Sequence, residues 1–131
     1  MKQGRILIID DDPDITEAMR IILENKGYQV RNALDGAAGM DRLREAKPDL
    51  IILDVMMRTS QEGFELSREL KRNAQYKDIP ILMLTGVQRK TGFDFKSAAG
   101  DGSWLPVEEF LDKPAKPEVL LEKVQSLLHK S

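Results

Sequence analysis

The chain contains no cysteine, which excludes disulfides, thiol catalysis and cysteine-ligated metal sites and fits a reducing compartment. Histidine is almost as scarce. The only one, His129, falls in the last helical turn, where an interaction with the helix end or plain solvent exposure is its ordinary role. Charge of one sign is also missing. Twenty basic against 22 acidic side chains leave a net charge of −2, and neither sign dominates a long stretch, so no direct nucleic-acid binding is expected. Long apolar runs are absent as well. The amino terminus, MKQGRILIIDDD, has four consecutive apolar residues before acids interrupt it, which reads as neither a signal peptide nor a membrane span. A cytoplasmic location with no membrane attachment is therefore expected.

What is present is ordinary globular composition, 41% hydrophobic and 32% charged over 131 residues. That length suits one compact domain spanning residues 1–131 and leaves little room for a second. No internal repeat or low-complexity tract interrupts it.

Short apolar runs recur at residues 6–9, 50–53 and 81–84, each flanked by charge, glycine or proline. Their length and β-branched content predict strands buried on both faces. Residues 28–33 alternate weakly and predict a further strand, and residues 110–112 a last one. Helical patterns lie between. Ile15, Met19, Ile22 and Leu23 share one face; Asp12 and Pro13 supply a cap and a first helical residue, and Gly27 stands where a helix-ending glycine belongs. Met40 and Leu43 mark a second helix that Pro48 ends, residues 64–72 a third, and Leu120, Val124, Leu127 and Leu128 a last one from about Pro117. This order implies a parallel sheet with right-handed crossovers and helices on both faces. Residues 86–105, with Gly92, Gly100 and Gly102, depart from the alternation and offer only a short helix around residues 94–99.

In an open parallel sheet, ligands bind beyond the carboxyl ends of the strands. The predicted strands end in Asp10 and Asp11, in Asp54, in Thr85, and in Asp112 and Lys113. An aspartate after a strand is most often only a helix cap. Asp12 is the better cap here, so Asp10 and Asp11 are surplus carboxylates that would repel each other and Asp54 unless something neutralised them. Mg²⁺ suits that task, since it takes oxygen ligands and leaves room for a phosphate oxygen, and a nearby lysine suits the phosphate.

Asp10-Asp11 after an apolar strand, Asp54 after residues 50–53, Thr85-Gly86 after residues 81–84, and Lys113-Pro114 after Phe110 together resemble the receiver domain of bacterial two-component response regulators. The resemblance covers nearly the whole chain, with four motifs in order at the ends of four strands. It implies a flavodoxin-like, doubly wound five-stranded parallel sheet of order 2-1-3-4-5, with an atypical fourth-helix region. By the same resemblance Asp54 is the phosphoacceptor, and Asp11 and Asp54 ligate Mg²⁺ with the main-chain carbonyl of Met56. Asp10 acts on the metal mainly through water, Lys113 neutralises the phosphoryl group, Thr85 hydrogen-bonds it, and Phe110 turns on activation.

The resemblance further implies a phospho-accepting switch that catalyses its own phosphoryl transfer and dephosphorylation without being a turnover enzyme. Its partners would be a sensor histidine kinase or phosphotransfer protein and a downstream protein, with the chain a monomer or weak homodimer. Two departures stand out. Arg58 occupies the fourth position after Asp54, where the family usually has proline, and Gly63 comes one residue later than the usual glycine. The stretch before Lys113 is longer than usual and includes Trp104, more often a core or edge-covering residue than a partner anchor. Two other readings compete: a haloacid-dehalogenase-like phosphatase with Asp10 as nucleophile, and a receiver-like interaction module that has lost phosphorylation.

Overall fold

The computed structural model describes residues 4–54, 62–85, 109–112 and 116–128, and the backbone alone at residues 62–64, 85, 109–110 and 112. Five strands are present among the described residues: β1 (Arg5–Ile9), β2 (Gln29–Ala33), β3 (Leu50–Asp54), β4 (Ile81–Thr85) and β5 (Glu109–Asp112). Four helices accompany them among the described residues: α1 (Pro13–Glu24), α2 (Gly36–Glu45), α3 (Glu62–Arg72) and α4 (Pro117–Leu128). The helix expected around residues 94–99 lies outside the described residues, as do Trp104 and His129.

All pairings are parallel and the strand order is β2-β1-β3-β4-β5. Side chains alternate across each strand, so the sheet builds two cores. Leu7 and Ile9 of β1, Ile51 and Leu53 of β3, and Ile81 and Met83 of β4 face Leu43 of α2 and Leu66 and Leu70 of α3. The neighbouring residues Ile6, Ile8, Leu50, Ile52, Leu82 and Leu84 face Met19 and Leu23 of α1 and Leu120, Val124 and Leu127 of α4. Burial on both faces explains why these strands read as unbroken apolar runs rather than as alternating ones.

Local chemistry sets the helix ends. The Asp12 side chain accepts from the N–H groups of Asp14 and Ile15 at 2.9 and 3.2 Å, with Pro13 at the first helical position. At the other end Gly27 takes φ +95°, which lets its N–H reach the Glu24 carbonyl and the Tyr28 N–H reach that of Leu23. This paired closure satisfies two orphan carbonyls and buries Tyr28 beside Leu23. Asp35 caps α2 through the Ala38 N–H at 2.7 Å, and α2 then seats unusually close to β1. A Cβ on Gly39 would stand 2.6 Å from Ile9 Cδ1, so only glycine permits the approach as built.

Several boundaries differ from the expectation drawn from periodicity, with β1 and β5 each starting one residue earlier, at Arg5 and Glu109. Helix α3 starts at Glu62, before the first apolar residue at position 64, and β2 starts at Gln29 because Tyr28 belongs to the closure of α1. The far end of α3 is tied down by Lys71, whose Nζ donates to the carbonyls of Lys77 and Ile79 at 3.2 and 2.9 Å. That clamp fixes the turn leading into β4.

Candidate functional site

The strand order reverses between β1 and β3, the two strands from which connections leave in opposite directions across the sheet. Their register pairs Ile9 with Leu53. The next residues along, Asp10 and Asp54, therefore emerge side by side at the carboxyl rim. Asp10 is completely buried and Asp54 is 3% exposed, whereas Asp11 is exposed. One carboxylate oxygen from each of the three lies within 4.8 Å of the other two.

Backbone contacts hold Asp10 in place. Its N–H donates to the Ala33 carbonyl at the end of β2, at 3.0 Å, and its Oδ1 accepts from the Asp12 N–H, also at 3.0 Å. Neither contact is legible in the sequence. The Ala33 carbonyl leaves no signal, because any residue could supply it. Asp12 stands two positions beyond Asp10, but its sequence signal is that of a helix cap.

Thr85, expected to bind a phosphoryl oxygen, ends β4, the strand next to β3 in the sheet, and pairs with Asp112 of β5. The backbone of Phe110 pairs with Met83. The structure thus brings Asp10, Asp11 and Asp54 together and carries the chain at Thr85 to the same rim. Met56, Arg58 and Lys113 lie outside the described residues.

Three carboxylates, two of them withdrawn from water, form an all-oxygen donor set with concentrated negative charge. Mg²⁺ meets that chemistry, since it binds one or two carboxylates and keeps waters or phosphate oxygens on its remaining positions. Soft or thiol-preferring metals do not. A groove of about 570 Å³ lies at the opposite, amino end of β1 and β2, lined by Arg5, Tyr28, Gln29 and Pro48 among others. It shares no residue with the carboxylate cluster.

Residues 6–125 match the family model described as the response regulator receiver domain. The chain is 41% identical over 131 aligned residues to the DNA-binding dual master transcriptional regulator RpaA of Synechocystis sp., covering 97% of this chain and 50% of RpaA. It is 31% identical over 125 aligned residues to protein PilH of Pseudomonas aeruginosa, covering 95% of this chain and 98% of PilH. Thus the chain spans half the length of RpaA but nearly all of PilH. Among solved structures, chemotaxis protein CheY4 of Vibrio cholerae superimposes with a TM-score of 0.78 at 32% identity, over 95% of this chain and 98% of that one. The signal receiver domain of a signal transduction histidine kinase from Syntrophus aciditrophicus superimposes with a TM-score of 0.80 at 34% identity, over 95% and 89% respectively.

Proposed function

The chain belongs to the receiver-domain family of two-component response regulators, and on that premise we propose that it is a phospho-accepting switch whose acceptor is Asp54. Receiver domains are signalling switches rather than turnover enzymes. The observation that carries the reading is the meeting of Asp54 with Asp10 and Asp11 within 4.8 Å at the switch point of the sheet.

A carboxylate oxygen of Asp54 would take the phosphoryl group from a donor, forming an acyl phosphate as the bond from phosphorus to the donor breaks. Among the described residues the rim holds no histidine, and the donor would be external: a phosphohistidine on a sensor kinase or phosphotransfer protein, or a small phosphodonor. Transfer of this kind depends on alignment and charge neutralisation more than on proton traffic. Asp11, Asp54 and the Met56 carbonyl would hold Mg²⁺, with Asp10 acting mainly through water. When bound, Mg²⁺ supplies the positive charge that offsets the carboxylates and the incoming phosphoryl oxygens. Lys113 would add a second positive charge, Thr85 a hydrogen bond to the phosphoryl group, and Phe110 the readout.

The single domain would span residues 1–131, as a monomer or weak homodimer in the cytoplasm. No helix among the described residues is long and apolar enough to cross a membrane. RpaA is described as DNA-binding, and this chain spans half of its length. With a net charge of −2, the residues of this chain would act on a downstream protein rather than contact nucleic acid directly.

The test is incubation with a small acyl phosphate with and without Mg²⁺, read by intact mass and peptide mapping. One phosphoryl group on Asp54, dependent on Mg²⁺ and absent in Asp54→Asn, is the expected result. Labelling of Asp10 instead would favour the phosphatase reading. No labelling under any condition would favour an interaction module without phosphorylation.

A further inference from the structure

We propose that Asp12 is a positioning residue for the carboxylate cluster: while its side chain caps α1, its backbone N–H fixes the direction in which the Asp10 carboxylate faces. The inference rests on the reading that Asp10, Asp11 and Asp54 hold a divalent cation.

Residue 12 is gripped on three sides. Its Oδ1 accepts from the N–H groups of Asp14 and Ile15 at 2.9 and 3.2 Å. Its carbonyl accepts from the Thr16 N–H at 3.1 Å, the first backbone bond of α1. Its own backbone is extended, with φ −96° and ψ 106°, and that geometry aims its N–H away from the helix and onto Asp10 Oδ1 at 3.0 Å. Pro13, which follows, has no N–H to compete and a fixed φ of its own. The cap and the orienting donor are thus two ends of one rigid residue.

One consequence concerns Asp10. Its main chain is tied to Ala33 by the N–H at 3.0 Å, and the Asp12 N–H is one of the contacts that set its side chain. Holding Oδ1 restricts rotation of the carboxylate, one oxygen of which lies within 4.8 Å of an oxygen of Asp11 and of Asp54. If the cap is lost, the first turn of α1 loosens, the N–H drifts, and more of the ordering of Asp10 is left to the moment when the cation binds. Ordering one side chain at binding weakens affinity about two- to tenfold.

Removing Asp12 also removes a negative charge, so the decisive comparison is between neutral variants. Asp12→Asn and Asp12→Ser lose the charge and keep a capping oxygen, whereas Asp12→Ala loses both. Ala18→Gly is the control for general loosening, because Ala18 is exposed in the middle of α1 and remote from the cap. Each protein is titrated with MgCl₂ and followed by amide chemical shifts in ¹H–¹⁵N spectra, alongside wild type and Asp54→Asn.

The expected result is that Asp12→Ala binds Mg²⁺ about two- to tenfold more weakly than Asp12→Asn and Asp12→Ser, with Ala18→Gly indistinguishable from wild type. The residue-12 amide should also exchange faster in Asp12→Ala than in Asp12→Asn before any Mg²⁺ is added. Equal affinities for the Ala, Asn and Ser variants overturn the positioning role while leaving the cation site intact. Weakening by Ala18→Gly as large as that by Asp12→Ala overturns it too, because any loosening of α1 would then suffice. If wild type and Asp54→Asn respond alike to Mg²⁺, the cation site itself is wrong and the positioning role falls with it.

Discussion

Replacing Asp54 by asparagine isolates the electrostatic cost of bringing the carboxylates together. The substitution keeps the shape of the side chain and removes one charge from a residue 3% exposed, beside a completely buried Asp10. At the outer separation of 4.8 Å, two unit charges repel by about 3.5 kcal/mol at an effective dielectric of about 20. Asp54 has interactions of its own that offset part of this, and Asp11 adds little because its charge is exposed and screened. The expected net effect in metal-free protein at neutral pH is a gain of about 1–2 kcal/mol, a rise in Tm of roughly 3–10 °C.

Mg²⁺ should then act in the opposite sense on the two proteins' difference. At about ten times its dissociation constant it stabilises wild type by about 1.4 kcal/mol, and it should stabilise Asp54→Asn much less, so the gap between them narrows. Urea unfolding followed by far-ultraviolet circular dichroism, in chelator and in MgCl₂, measures both quantities. If Asp54→Asn is the less stable protein in chelator, or if Mg²⁺ stabilises both equally, repulsion among these carboxylates is not what a cation relieves.

Three further outcomes are expected. Thr85→Ala should still be labelled at Asp54 but should lose the change in amide hydrogen exchange that phosphorylation produces across residues 86–113; the same change in both proteins would break the proposed link from Thr85 to Phe110. Gly39→Ala should lower stability, because about 1–3 kcal/mol of overpacking against the buried Ile9 outweighs about 1 kcal/mol of helix propensity, and a rise in the urea midpoint would show that Ile9 can turn aside. Burial raises the pKa of the Tyr28 phenol above its ordinary value, so the folded state favours the neutral ring. The stability that this contributes is complete below pH about 10 and is lost as pH rises through the folded-state pKa. Tyr28→Phe should remove that alkaline loss, and identical alkaline unfolding curves would contradict it.

Much of this architecture was legible residue by residue. The runs at 6–9, 50–53 and 81–84 announced strands buried on both faces because each is too short for a helix and rich in β-branched or other apolar residues with no polar face. Asp12-Pro13 and Gly27 announced the ends of α1, since capping and a positive φ are properties of one or two adjacent residues. Such signals are local, and the chain carries them wherever it folds. The acids at 10, 11 and 54 were equally visible as types and positions.

Their convergence is another matter. Asp10 meets Asp54, far along the chain, only because β1 and β3 pair with Ile9 opposite Leu53. A slip of one residue in that register would turn β3's core side chains to the wrong helices and carry Asp54 away from Asp10. The close seating of α2 at Gly39, the Ala33 carbonyl that holds Asp10, and the second role of Asp12 belong to the same class. Each depends on where a backbone passes in space, and a backbone donor or acceptor is the same group in every residue except proline. Sequence alone therefore determined which side chains were available for chemistry. The pairing of β1 with β3 decided that they meet, and the turn into α1 decided which way one of them faces.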